Sequence, residues 1–285
     1  MRHGWLMAVA LALVSLNAMA VGTGAVRKQV EASMAITGAI EVAEDGSVRS
    51  YEIDRGDELP KDILDFVRKN VDNWKFEPVF VDGKPKAIRN KMALLAVAKK
   101  LDGDRYAIRL QAASFDPFEI EKGSEIASKT TLTPPAFPIE AAKKGVGGTV
   151  YLVLKIGGDG KVQDAITEQV NLHVVENETK MERYRRLLSE AALRAAMKWE
   201  FDPPTSGEYA ADPFWLARVP VEFRFPGLSR HEYGQWQTYV PGPRQRHPWA
   251  ENEDPGYSPE ALAAGGVHMV GKGGLRLLTP LGVES

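Results

Sequence analysis

The residues whose types could do chemistry are not spaced to do it. Gly266-Val267-His268-Met269-Val270-Gly271-Lys272-Gly273 has the glycine and lysine spacing of a phosphate loop, but glycine stands where the magnesium-binding serine or threonine belongs. It also lies in a glycine-rich stretch rather than between a strand and a helix, so it is not read as a nucleotide site. Beyond the N-terminal segment the histidines are His173, His231, His247 and His268, with no metal-ligand spacing and no His-Glu-x-x-His. No Gly-x-Ser-x-Gly elbow occurs. The absence of cysteine excludes thiol catalysis, cysteine metal sites and a disulfide framework together. Asp45 and Asp159 each precede a glycine and are explained by turns, and the other carboxylates read as solvated faces. The chain is therefore read as a non-enzyme without metal or cofactor.

Charge narrows the partners. The formal net charge is −2, with 36 basic against 38 acidic side chains, which gives no electrostatic footprint for nucleic acid. What remains is chemistry of the backbone, the pairing of strand edges, and that depends on the elements that present it.

Those elements recur. Ile36-Thr37-Gly38-Ala39-Ile40-Glu41-Val42 precedes Asp45-Gly46, and Val150-Tyr151-Leu152-Val153-Leu154-Lys155-Ile156 precedes Asp159-Gly160. Apolar residues at 36, 40 and 42 match 150, 154 and 156, the period of two of a strand buried on one face. Asp-Gly supplies the positive φ of a tight hairpin, so each stretch opens with two antiparallel strands. The apolar period then changes to three or four, at Ile63, Val67, Val71 and Trp74 and again at Leu188, Ala192, Ala196 and Trp199, which predicts a helix after each hairpin. Pro60 suits the first turn of the earlier helix. Both helices run into one phrase, Trp74-Lys75-Phe76-Glu77-Pro78 and Trp199-Glu200-Phe201-Asp202-Pro203. Its aromatics, Trp74, Phe76, Trp199 and Phe201, are expected to cap the core where helix meets strand, and Pro78 and Pro203 to end the segment. The strands repeat at an offset of 114 and the phrases at 125, so an insertion is expected before the second helix, around 173–180. A last strand follows near 91–97 and 216–225.

The predicted fold class is α+β, two tandem β-β-α-β units, each a small antiparallel sheet with a helix on one face. Chain direction puts the third strand beside the first, in the order 2-1-3, with strand three at the edge. The expected division is a signal peptide at 1–20, a first unit with an extra strand (104–115) at 21–118, a linker at 119–133, a second unit at 134–226 and a tail at 227–285. Arg2, an apolar run and Ala18-Met19-Ala20 have the form of a cleaved signal peptide, the run being too short to span a bilayer. Export to the periplasm follows, with no membrane span in the mature chain. Residues 226–285 hold 10 glycines and 7 prolines, a composition typical of partial disorder, yet also Tyr233, Trp236, Tyr239, Trp249 and Tyr257, which could dock on the folded units.

Pro135-Ala136-Phe137-Pro138, Gly148-Thr149-Val150, Gly158-Asp159-Gly160, Trp199-Glu200-Phe201-Asp202-Pro203 and Val219-Pro220-Val221-Glu222-Phe223 occur in an order that resembles the TonB C-terminal domain. Residues 34–98 resemble it more weakly, keeping the turn and the aromatic phrase. The resemblance implies binding of extended segments of envelope proteins, outer-membrane transporters among them, by a non-catalytic periplasmic module. A soluble component of a TonB-type energy transduction system is the alternative. The third strand of the second unit is the expected binding edge, through Leu216, Ala217, Arg218, Val219, Val221, Glu222, Phe223 and Arg224. Arg218, Glu222 and Arg224 share one face and are expected to meet water or the partner, while Val219, Val221 and Phe223 hold the core.

Overall fold

The computed structural model describes residues 23–101, 105–119, 121–225, 233–249, 258–262, 266–270 and 275–281. The expected signal peptide, His231, Tyr257 and Gly271 to Gly273 of the phosphate-loop-like run lie outside them.

The chain is a mixed α+β structure of antiparallel sheets with few helices. In order come α1 (Thr23–Arg27), β1 (Glu31–Val42), β2 (Val48–Ile53), α2 (Lys61–Val71), β3 (Phe80–Val81), β4 (Lys84–Pro85), β5 (Ile88–Lys100) and β6 (Tyr106–Ser114). Then follow β7 (Ala127–Ser128), α3 (Ile139–Lys143), β8 (Gly148–Gly157), β9 (Val162–Leu172), α4 (Glu178–Ala196), β10 (Phe201–Asp202), β11 (Phe214–Phe223), β12 (Gln237–Tyr239) and β13 (His268–Met269). One sheet runs β12-β1-β5-β6, with β2 beside β12 on the same edge of β1; the other runs β13-β11-β8-β9. In both, the first hairpin strand lies between the second strand and the strand that follows the helix.

Each hairpin turn is fixed by two local facts. Gly46 and Gly160 have φ of 79° and 76°, the left-handed region that penalises a Cβ. The Asp45 and Asp159 carboxylates accept the backbone N–H two residues on, at 2.9 and 3.1 Å. The turns also meet the aromatic phrases. The Gly46 carbonyl accepts the Phe76 N–H and the Gly160 carbonyl accepts the Phe201 N–H, both at 2.8 Å. The two motifs are thus joined by the same hydrogen bond in each sheet. Trp74, Phe76, Trp199 and Phe201 are buried, and Pro78 and Pro203 lie half-buried just beyond. Trp74, Phe76 and Phe115 stack edge to face, with centroids 4.9–6.2 Å apart.

Helical periodicity places Ile63, Phe66, Val67 and Val71 of α2 against the first sheet. Met181, Leu188, Ala192 and Ala196 of α4 pack against the second. Asn177 caps α4, accepting the Lys180 N–H at 3.0 Å. The extra residues of the second half are not a loop insertion. β9 has 11 residues where β2 has 6, and α4 has 19 where α2 has 11.

The segments expected to be linker and tail dock. Ile126 is buried in the second core, and β7 pairs with β10. Tyr233 donates to the Asp54 carbonyl at 2.6 Å beneath the Arg55 guanidinium, and Trp236 packs on the first core. β12 pairs with the start of β1, and the next residue, Val240, exchanges hydrogen bonds with Leu172 at the end of β9. One strap thereby joins both sheets. Later, Leu275 and Leu277 return to the first core. Among the described residues no helix is long and apolar enough to cross a membrane.

Candidate partner-binding edge

β11, the strand expected at the edge, lies in the second sheet between β8 and the two-residue β13, and β9 forms the far side. β11 pairs with β8 from Phe214↔Gly157 to Phe223↔Gly148 with no register shift. The Leu216 carbonyl, turned away from β8, accepts the Val270 N–H at 2.9 Å. Backbone groups of alternate residues in an antiparallel strand point to the same side, so Phe214, Leu216, Arg218, Pro220 and Glu222 carry the outward row. Pro220, which has no N–H to give, therefore sits where it costs the β8 ladder nothing. Three residues after Phe214 in that row, Leu216, Arg218 and Glu222, keep a donor. β13 lies along the first part, with Ala217 opposite Met269 and Arg218 opposite His268.

Ala217, Val219, Val221 and Phe223 are buried against the α4 side, as their alternation demands. Leu216, Glu222 and Arg224 are half-buried. Arg218 departs from expectation. Its side chain is 9 % exposed and its Nε donates to Glu168 Oε2 at 3.0 Å, while Glu168 itself has no exposure. Arg244 of the tail donates to the other oxygen at 2.9 Å. The arginine faces neither water nor a partner, because the sheet face opposite α4 is covered by the tail rather than open.

The same cover holds a second buried carboxyl. Glu260, in the turn Pro259–Ala261, accepts from Asn171 Nδ2 at 2.6 Å and Gln169 Nε2 at 3.0 Å on β9, from Ser258 Oγ at 3.3 Å, and from Gln111 Nε2 on β6. One carboxyl thus ties both sheets. Burial pushes its pKa up, and Glu31 beside it adds to the shift, while the donors oppose it. Burial also pushes up the hydroxyls of Tyr151 and Tyr239 nearby. Among the described residues no group of histidines and carboxylates is arranged to hold a metal ion.

Residues 133–225, which contain β8, β9, α4 and β11, match the family model of the Gram-negative bacterial TonB protein C-terminal. The Protein TonB of Xanthomonas campestris pv. campestris strain B100 is 32% identical over 106 residues, and that of strain ATCC 33913 is equally similar. This segment is a TonB C-terminal domain. The match covers 37% of this chain and 40% of each relative, so the chain spans less than half the length of the curated relatives it matches. No solved structure matches the chain.

Within the TonB C-terminal domain, sequence reasoning named the residues of β11 but missed Glu168, Arg244, Glu260 and β13. A signal for one existed: Glu168-Gln169 interrupts a strand whose neighbours Val170 and Leu172 are apolar, and β9 shifts register against β8 next to it. Arg244 and Glu260 carry no local mark, since Arg244 reaches Glu168 across 76 residues and the sheet residues that Glu260 binds are 89 or more residues away in sequence.

Proposed function

We propose that this chain is a non-catalytic protein-binding module of the cell envelope. Its TonB C-terminal domain takes an extended segment of an envelope protein, foremost an outer-membrane transporter, onto the outward row of β11. The observation that carries this reading is the pairing of β11 with β13: the edge accepts an antiparallel strand from the molecule itself. Main-chain hydrogen bonds supply the affinity, and alternate side chains of the incoming strand supply selectivity. The chain is exported by a signal peptide cleaved after Ala20 and works in the periplasm. Residues 34–98 form a degenerate second copy of the same β-β-α-β unit. The turn-to-phenylalanine hydrogen bond common to both supports this, as does the place of β5 beside β1, which matches that of β11 beside β8; β5, however, is flanked by β6 over Ala93 to Lys100, where β11 has only the two-residue β13. The first copy therefore offers no equivalent edge.

The likeness to Protein TonB favours a second reading, in which the chain serves as a soluble component of TonB-type energy transduction. Both readings need the same edge.

The test is affinity capture of envelope proteins by the chain lacking residues 1–20, compared with its Glu222→Pro variant. Glu222 lies in the outward row, so proline there removes a donor from the edge and none from the β8 ladder. Capture of a transporter that drops at least tenfold in a folded variant is expected. Unchanged capture would refute binding that runs along β11 as far as Glu222.

A further inference from the structure

We propose that residues 266–270 are a built-in occupant of the partner edge, so that an incoming strand binds only after this segment lets go. The inference rests on the reading of β11 as the edge that partners use. Three observations carry it. β13 lies on the outward side of β11 with one continuous register, Ala217↔Met269 and Arg218↔His268, closed by the Val270 N–H on the Leu216 carbonyl. Val267 and Met269 pack against the second core, extending the apolar row of Ala217 and Val219 rather than resting on the surface. Finally, Pro220 interrupts the donors of the outward row. Leu216 and Arg218 are adjacent outward residues that both keep N–H and C=O, and β13 covers those two. Any two consecutive outward residues ahead of Pro220 include Leu216, so a partner strand seeking consecutive bonds there overlaps β13.

The occupant also describes the partner. A segment that replaces it presents an apolar side chain opposite Ala217 and another opposite Val219, separated by one residue that faces the other side of the sheet. It carries no proline where Leu216 and Arg218 receive its N–H groups. The internal strand is short, two paired residues and one further bond, and so short a strand is marginal unless something raises its local concentration. Here the chain does, since a tethered segment acts at about millimolar effective concentration. A closed-to-open ratio of about 10–100 would weaken partner binding by the same factor, because only the open fraction is competent.

The experiment uses the full chain and, as probe, the peptide of residues 266–270 with acetylated and amidated ends, titrated by NMR. The variant His268→Pro/Val270→Pro removes the two donors that the internal strand aims at β11. Relative to wild type, the amide of Arg218 should lose at least tenfold hydrogen-exchange protection, and the peptide should bind at least tenfold more tightly. Met269→Ser keeps every backbone group and weakens only the apolar grip, so it should give a smaller change in the same direction even if the double proline variant folds poorly. Equal peptide affinity for wild type and both variants, or unchanged protection at Arg218, would overturn the proposal. Envelope capture separates this failure from failure of the function. Loss of capture in Glu222→Pro with no gain in His268→Pro/Val270→Pro would overturn self-occupancy and leave edge binding intact. A double variant that binds the peptide more tightly but captures no transporter would leave self-occupancy standing and refute the function.

Discussion

Replacing Arg218 with methionine tests the buried centre under the tail. Glu168 has no solvent exposure, and its two oxygens are held by Arg218 Nε at 3.0 Å and Arg244 Nη2 at 2.9 Å. Removing one partner of a buried ion pair typically costs about 3–5 kcal/mol, most of it from the charge left without compensation. Arg244 stays in place in Arg218→Met but is one-third exposed, so it compensates only in part, and the expected loss is about 3 kcal/mol. Arg244→Ala should cost less, about 1–2 kcal/mol, because the more deeply buried Arg218 remains. The decisive variant is Arg218→Met/Glu168→Gln. Neutralising the stranded carboxylate should restore about half of the loss, an interaction between adjacent sites that a packing defect would not produce. Urea unfolding followed by tryptophan fluorescence reads this directly, since Trp199 and Trp215 lie in the affected core, with linear extrapolation to water. A loss below about 1 kcal/mol for Arg218→Met, or no recovery in the double variant, would show that the pair is not a buried charge centre.

Two further outcomes follow from local geometry. In Gly46→Ala and Gly160→Ala the new Cβ would collide with the carbonyl of Phe76 or Phe201, at positive φ, so each should destabilise by more than the roughly 1 kcal/mol of an ordinary turn glycine; a melting temperature within 1–2 °C of wild type for both, on the order of experimental scatter, would sink the account of the turn-to-phrase contact. Glu260, whose pKa is raised above the ordinary 4.5 mainly by burial, keeps its proton in the folded state at pH values where the unfolded chain has lost it. Its contribution is therefore full below about pH 4.5 and declines as pH rises through the folded pKa. The stability difference between wild type and Glu260→Ala should accordingly shrink as pH rises from 4 to 8, and a constant difference in urea midpoints across that range would refute the assignment.

Much of the scaffold could be read from the sequence because its determinants are local. Asp45-Gly46 and Asp159-Gly160 specify turns whatever surrounds them, the two-residue alternation of β1 and β8 specifies a buried face, and the spacing of Ile63, Val67 and Val71 or Leu188, Ala192 and Ala196 specifies a helix face. The aromatic phrases mark where helix ends and core begins. The place of β11 beside β8 was legible as well, since chain reversal by α4 sets it there.

What covers the edge and the sheet face had no local signature. Glycine and proline in the tail lower its own propensity for structure, and only docking on the sheets gives β12, β13 and Glu260 their partners. Arg218 shows the distinction most plainly. Alternation placed it on the face opposite Val219, which was correct, but whether that face meets water depends on Arg244 and Glu260 arriving from far along the chain. The sequence by itself determined which side each residue of β11 takes, because side-chain direction in a strand is a property of the backbone. Tertiary structure alone decided which of those sides stays open, because burial is a property of everything that packs there.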